Sequence, residues 1–338
     1  MEKKLFRVAL AGCGAISRTH IRAILAAGQT LVALCDPIPE KAKALADSEG
    51  LSGVPVYTEY PAMLKEARPD IVHICTPHDL HVPMAVEALE RGIHVLCEKP
   101  LAISEEQLRI LAGAVRRSRA TFGVCQQNRY EPNMLRLREL VTAPPLGGFA
   151  TVVWKRDEAY YRSGAWRGTL AHEGGGVLIN QALHTLDLMQ WYCGMPTHVT
   201  AHCFNDYHKG TIEVEDTAAC TFEGENGLRW QFFATTSATV DFPIQISLRL
   251  ATGELAEVQN HQFTLNHRLL TGSDDTGDGK WVWGDGHKAL VTDFYRCVRD
   301  GKPFALGFAE GEKVIRLLLS IYRSGGKRVA VIPSAEEI

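Results

Sequence analysis

VALAGCGAISRTH, residues 8–20, passes from an apolar strand-like run through a Gly-x-Gly-x-x-Ser turn into a helical pattern. Gly12 permits the tight turn and Gly14 lets the backbone approach a pyrophosphate. The helix that follows aims its first amides, around Ala15 and Ile16, at the phosphates. Ser17 stands where a third glycine would allow close helix–strand packing, and a small residue can serve there. Such a turn alone is a weak signal, but here it follows a strand, opens a helix and begins an alternating unit. Asp36 ends the second strand-like run, 24 residues beyond Gly12. A carboxylate there accepts both hydroxyls of an adenosine ribose and repels a 2′-phosphate, which favours NAD over NADP. The competing reading is an ordinary strand–helix turn with Asp36 capping the next helix.

The same alternation continues to about residue 125. LFRVALAG, TLVALCD, DIVHICTP, HVLCEKP and ATFGVCQ read as strands buried on both faces, with amphipathic helices between them. Repeated strand–helix units predict an α/β fold with a doubly wound parallel sheet over 1–125. After TAPPLGG (142–148) the pattern changes to period-two alternation with glycine turns, including a hairpin over Gly224–Gly227. One helix is predicted over roughly 177–193, a long loop over 271–286, and two helices near the end. Residues 126–338 are therefore expected to form an α+β substrate-binding and oligomerisation domain, whose final helices pack back on the first domain.

Net charge is −3 without a basic tract, which argues against nucleic acid as a partner. No apolar run reaches membrane-spanning length, and the N-terminal stretch lacks the pattern of a signal peptide. Nine cysteines are scattered without a Cys-x-x-Cys pair and read as reduced, mostly buried thiols of a cytoplasmic protein.

GCGAIS, CDP, CTPHDLH, HVLCEKPLA and EGGGVLINQALHTLDLMQW together resemble the Gfo/Idh/MocA family of oxidoreductases over nearly the whole chain. The resemblance implies an N-terminal Rossmann domain, a second domain with a large, mainly antiparallel open-faced sheet, and NAD as cofactor. It further implies that the lysine of Glu-Lys-Pro acts at the substrate. Lys99 lies where a parallel strand should end, at the carboxyl edge where open α/β sheets bind ligands. Its ammonium can hold a substrate hydroxyl and stabilise a developing alkoxide. Glu98 pairs with Lys99 or shapes the turn, and Pro100 is compatible with a cis bond. Thr76, Pro77 and His81 of TPHDLH are expected beside the nicotinamide end of the cofactor, with Glu98 and Lys99.

Asn180, His184 and Asp187 fall at i, i+4 and i+7 of the predicted helix and so share a face. His184 can take a hydroxyl proton near neutral pH. Many family members carry aspartate at the position of Asn180, which cannot accept a proton and can only orient. Asp187 is expected to make a structural hydrogen bond. Tyr160, Tyr161, Trp166 and Arg167 precede the glycines and suit sugar stacking and anion binding; Arg129 and Lys155 are further substrate candidates. His172, Glu173, His184 and Asp187 lack a compact metal-binding spacing, so no metal site is expected. The pattern of YY, WRG, GGG, NQ, H, D and QW resembles the branch of UDP-N-acetylglucosamine 3-dehydrogenases and related sugar or glycoside 3-dehydrogenases. The resemblance thus implies an NAD-dependent dehydrogenase of a secondary hydroxyl on a sugar, glycoside or sugar nucleotide, the 3-position favoured, working as a homodimer or homotetramer. A redox-neutral glycosidase or lyase acting through transient oxidation, and a non-catalytic NAD(H)-binding regulator, are the alternatives.

Overall fold

The computed structural model describes residues 5–259, 262–271 and 286–335. Those residues fall into two units. The first runs to Gln127 and takes back a later segment ending at Glu312; the second starts at Asn128 and includes the chain from Lys313 on.

Strands β1 (Arg7–Ala11), β2 (Thr30–Cys35), β3 (Val56–Tyr57), β4 (Ile71–Ile74), β5 (His94–Cys97) and β6 (Phe122–Val124) build the first unit's sheet. Their order is β3-β2-β1-β4-β5-β6, every neighbouring pair parallel. Val, Ile, Leu, Ala and Cys fill these strands, and β4 is buried at every residue, as a sheet covered on both faces requires. Helices α1 (Ser17–Ala26), α2 (Pro39–Ser48), α3 (Tyr60–Ala67), α4 (His81–Glu90) and α5 (Glu105–Arg117) supply the cover. Ser104 caps α5 by accepting the Gln107 amide at 3.2 Å. The order reverses between β1 and β4, so the crevice for a ligand opens beyond Ala11 and Ile74. The β3–α3 pair was not foreseen in the sequence, because a two-residue strand shows no period.

In the second unit α6 (Pro132–Leu140) precedes β7 (Gly147–Val153) and α7 (Glu158–Arg162). Then come α8 (Val177–Asn180), α9 (Leu183–Cys193), β8 (His198–Phe204), β9 (Thr217–Glu223), β10 (Arg229–Thr235), β11 (Gln245–Arg249), β12 (Leu255–Gln259), β13 (Gln262–Leu265) and β14 (Arg268–Thr271). Helix α10 (Gly286–Asp300) is in the first unit, α11 (Phe308–Ser324) follows it, and β15 (Val329–Ala330) closes the list of elements. The nine-stranded sheet has the order β14-β13-β12-β11-β7-β10-β9-β8-β15 and is antiparallel except for the β7–β10 pair. Ala150, Phe222, Trp230 and Phe232 are buried on one face, while Phe149, Phe204 and Phe233 are exposed on the other. The foreseen hairpin over Gly224–Gly227 joins β9 to β10. Of the loop expected over 271–286, Thr271 ends β14 and Gly286 opens α10; the rest lies outside the described residues.

One expectation needs correcting. The helix read over 177–193 is two helices. At Ala182 (φ −100°, ψ −6°) the amide reaches back five residues to Val177 at 2.9 Å, and the regular four-residue bonding of α8 is interrupted. Asn180 closes α8 while His184 and Asp187 sit on α9, so the i, i+4, i+7 relation does not hold across the break.

Candidate active site

The first unit's crevice is made by backbone. Gly12 has φ +89°, and a Cβ there would lie 2.5 Å from the Cys75 carbonyl oxygen; only glycine lets β1 turn so close to the end of β4. A Cβ on Gly14 would meet no protein atom within 4 Å, which leaves that side open to a phosphate. Ser17 is fully buried and donates its hydroxyl to the Gly14 carbonyl, so it does the packing expected of a third glycine. Ala15 is exposed and Ile16 half-buried at the same turn.

Asp36 is 8% exposed and accepts the Cys13 amide at 2.9 Å and the Ile38 amide at 3.0 Å. It therefore ties the glycine turn to the end of β2. It does not cap α2, whose N-cap residue is Ile38. A carboxylate offers about four acceptor positions, so two remain for ribose hydroxyls. Thr76 Oγ1 is buried without a hydrogen-bond partner among the described residues. That orphaned hydroxyl, the open side of Gly14 and the acceptor capacity of Asp36 fit a dinucleotide along this edge.

His81 proves to be a brace. Its Nε2 lies 2.9 Å from the Thr76 carbonyl and its Nδ1 2.8 Å from that of Pro100, so the ring joins TPHDLH to Glu-Lys-Pro. Burial lowers its pKa, while the two carbonyls favour the charged ring; a neutral ring can donate to only one of them. Pro77, half-buried, leads into that loop. Lys99 follows β5 at the carboxyl edge of the sheet, and the Lys99–Pro100 bond is cis. Glu98, expected beside the cofactor, instead sends its carboxylate into the interior toward His20 and His287. It also accepts the Lys99 backbone amide at 3.1 Å.

The second unit's candidates divide sharply. Arg129, expected at the substrate, is 5% exposed and holds Asp187 with two hydrogen bonds of 2.7 and 2.6 Å, plus Gln190 at 3.2 Å. A buried bidentate pair of this kind is structural, because either partner alone would leave an uncompensated charge. Asp187 thus has the structural role foreseen for it, through an ion pair. Tyr161, expected at the substrate, is buried as well, packs on Ile212 and Val214 as part of a core cluster, and shares a 3.0 Å hydrogen bond with Thr236 Oγ1. The Lys155 side chain is exposed.

Around Tyr160 the remaining candidates do gather. Arg167 lies 4.5 Å over the Tyr160 ring and 4.7 Å over the Trp166 ring, and donates to the Tyr160 hydroxyl at 2.7 Å. Gln181 donates to the same hydroxyl at 3.0 Å, with Asn180 at 3.4 Å. Stacking on rings holds a guanidinium flat and directs its edge. Asn180 also donates its amide to Glu173, a 1% exposed carboxylate that takes the Gly168 amide too. Nδ2 of Asn180 is thus shared between Glu173 and the Tyr160 hydroxyl, which fixes the orientation of the side chain. An acid does support this position, then, one contact removed and seven residues earlier in the chain. Asn180 and His184 are half-buried. His172 is exposed, and Glu173 and Asp187 are bonded as described.

The triple glycine proves to be a packing device. A Cβ on Gly176 would lie 1.8 Å from the Glu215 carbonyl oxygen, and one on Gly175 would lie 2.0 Å from the Tyr322 hydroxyl. Glu215 accepts the Gly176 amide at 2.9 Å, the Leu178 amide at 3.1 Å and the Tyr322 hydroxyl at 3.0 Å. Burial nevertheless pushes its carboxyl up to about 7 against these donors. Glu215, Tyr322 and Gln181 were not foreseen; Gln181 had a signal, its place between Asn180 and His184, but the other two lie far off in sequence.

Comparison with known proteins places this geometry. Residues 6–126 match the oxidoreductase family with an NAD-binding Rossmann fold, and 134–256 match the Gfo/Idh/MocA C-terminal domain. D-glucoside 3-dehydrogenase of Escherichia coli is 31% identical over 67% of this chain and 69% of its own. The rhizopine catabolism protein MocA of Rhizobium meliloti is 32% identical over 66% and 70%. Among solved structures, the WlbA dehydrogenase of Bordetella pertussis, in complex with NADH and UDP-GlcNAcA, superposes with a TM-score of 0.85 at 26% identity, over 98% of this chain and 99% of that one. Two family matches in succession and a relative 31% identical over 67% of the sequence give one conclusion: the chain belongs to the Gfo/Idh/MocA family of oxidoreductases.

Proposed function

We propose that this NAD-dependent oxidoreductase oxidises a secondary hydroxyl of a sugar, glycoside or sugar nucleotide, at the 3-position. The observation that carries the reading is the cluster of Arg167, Tyr160, Trp166 and Asn180, a set suited to stacking on a sugar ring and holding its hydroxyls. The 3-position is supported by the glucoside 3-dehydrogenase relative. The nicotinamide, when bound, takes the hydride. Lys99 holds the reacting oxygen and stabilises negative charge on it. His184 takes the hydroxyl proton, and Asn180, steered by Glu173, can only orient the substrate or His184 by hydrogen bonds. Asp36 disfavours a 2′-phosphate, hence NAD over NADP. The exposed face carrying Phe149, Phe204 and Phe233 supports association of copies of this chain into a dimer or tetramer.

The test is a panel of sugars, glycosides and UDP-sugars with NAD and NADP, following reduced nicotinamide and locating the new carbonyl by NMR. Stoichiometric NADH with a 3-keto product is the expected result. Product without net NADH would mark redox-neutral elimination, and tight NAD binding without turnover would mark a regulator; either sinks the proposal.

A further inference from the structure

Glu98 heads a chain of buried groups inside the first unit. Its carboxylate is 6% exposed and takes three N–H donors. His20 Nε2 lies 2.9 Å and His287 Nε2 3.2 Å from Oε1, and the Lys99 amide lies 3.1 Å from Oε2. Behind His20, its Nδ1 is 2.8 Å from His73 Nδ1, and His73 Nε2 is 2.8 Å from the Tyr295 hydroxyl. All four partners are buried.

An ionised carboxylate dictates the proton order of this chain. It only accepts, so His20 carries its proton on Nε2 and leaves Nδ1 bare. His73 must then donate from Nδ1 and accept at Nε2, and Tyr295 supplies the last proton. The reverse order requires a protonated Glu98 donating to a bare His20 Nε2, which the lowered pKa of that carboxyl disfavours. Burial lowers the pKa of His20 and of His73, which disfavours an imidazolium at either ring. At Glu98 burial pushes upward, yet the hydrogen bonds from His20 and His287 outweigh it and hold the carboxyl well below its ordinary range. The other ionisable groups near Glu98 are the thiols of Cys75, Cys97 and Cys125, with His81 and Lys99. Burial raises the three thiols, so they stay protonated around the charge.

We propose that Glu98 is the positioning residue for Lys99, held as a carboxylate by His287 and by a one-way chain Tyr295 → His73 → His20, so that the β5 end presents the lysine in one geometry. The proposal rests on the reading of Lys99 given above. A buried chain with every proton assigned has one arrangement, whereas a neutral amide in place of the carboxylate forces the rings to reorganise.

Two measurements test it on the full chain. Nitrogen-15 NMR of labelled histidines, assigned with His20→Gln and His73→Gln, should show His20 as the Nε2–H tautomer and His73 as the less common Nδ1–H tautomer at pH 7. The opposite tautomers, or a charged ring at either site, overturn the chain. Steady-state kinetics of Glu98→Gln should show kcat reduced at least ten-fold and its pH profile displaced, with KM for NAD within two-fold; unchanged kcat and profile overturn the positioning role. Glu98→Asp should recover part of the loss. Tyr295→Phe, which keeps the ring's packing, should shift the His73 signals even if Glu98→Gln does not fold, and unmoved signals count against the chain. Wild-type turnover in Lys99→Ala would remove the reading of Lys99 itself, a result distinct from any tautomer outcome. The donor atoms of His20, Glu98 and His287 lie within 4.8 Å of one another. One bound divalent ion per chain in protein purified without chelator, lost in Glu98→Gln, would replace the hydrogen-bonded arrangement and overturn it.

Discussion

The two units hold their candidate residues in different ways. At the edge of the parallel sheet the working parts are backbone: a glycine at φ +89°, amides that grip Asp36, and a strand end that delivers Lys99. In the second unit they are side chains stacked on side chains, with Arg167 laid over Tyr160 and Trp166 and Asn180 steered by Glu173. A backbone cradle suits the part of a reaction that does not vary, the dinucleotide. A side-chain cluster can be altered one residue at a time without disturbing the sheet beneath it. On the reading proposed above, cofactor binding would fall to the first unit and choice of substrate to the second.

The largest effect should come where the proposed chemistry lies. Lys99→Ala and His184→Ala should each lower kcat by about 10²–10⁴-fold while NAD binding, followed by fluorescence titration, is kept. Parity with the wild type in both would break the assignment of roles across the two units.

Next come the glycines of the cradle. Gly12→Ala places a Cβ against the Cys75 carbonyl at a left-handed backbone angle, for about 1–3 kcal/mol of destabilisation. Gly14→Ala meets no protein atom, so thermal unfolding should be unmoved while NAD affinity falls. If both variants lost stability equally, Gly14 would be a folding glycine and the backbone cradle would be overstated.

Acidity should act on the two units in opposite directions. His20 and His73 have lowered pKa values in the fold, so below about 6.5 the unfolded chain binds protons the folded one refuses, and the first unit loses stability as pH falls. Glu98, also lowered, adds to that loss at still lower pH. Glu215 is raised to about 7, so its contribution is present at low pH and is lost as pH rises from the ordinary carboxylate value toward 7. The slope is at most about 1.4 kcal/mol per pH unit for one group. Hydrogen exchange of the amides of Gly176 and Leu178 should therefore quicken between pH 5 and 7, and Glu215→Gln should flatten that trend. A trend of the same sign in both units would break the comparison.

Arg167→Lys is the mildest test. A lysine keeps the charge but gives up the flat stacking, worth about 1 kcal/mol, so KM for the sugar should rise a few-fold with kcat and NAD affinity unchanged. A fall in kcat equal to the change in kcat/KM would move Arg167 from substrate binding into the chemical step.

The legible part of this protein was the part written in short spacings. Gly12, Gly14 and Asp36 lie within one strand–helix–strand unit, where periodicity and backbone geometry leave few alternatives. The two-sheet plan was equally readable, since a buried parallel strand and a half-exposed antiparallel one differ in period. The sequence was least informative where a residue's type allowed two settings. Arg129 and Tyr161 are as suited to a sugar as to a core, and only the placement of Asp187 and of Ile212 and Val214 chose the core. The break at Ala182 had no signal either, because nothing in QAL forbids a continuous helix.

By itself, then, the sequence determined the Rossmann turn, the delivery of Lys99 to a strand end and the change of sheet type, all of them local matters of backbone freedom and hydrophobic period. Tertiary structure decided which polar side chains are paired with which. Arg129 meets Asp187 from 58 residues away, and Glu98 meets His287 from 189 residues away. Such pairings depend on distance in space, and a buried charge takes whichever partner the folded chain brings within hydrogen-bond reach.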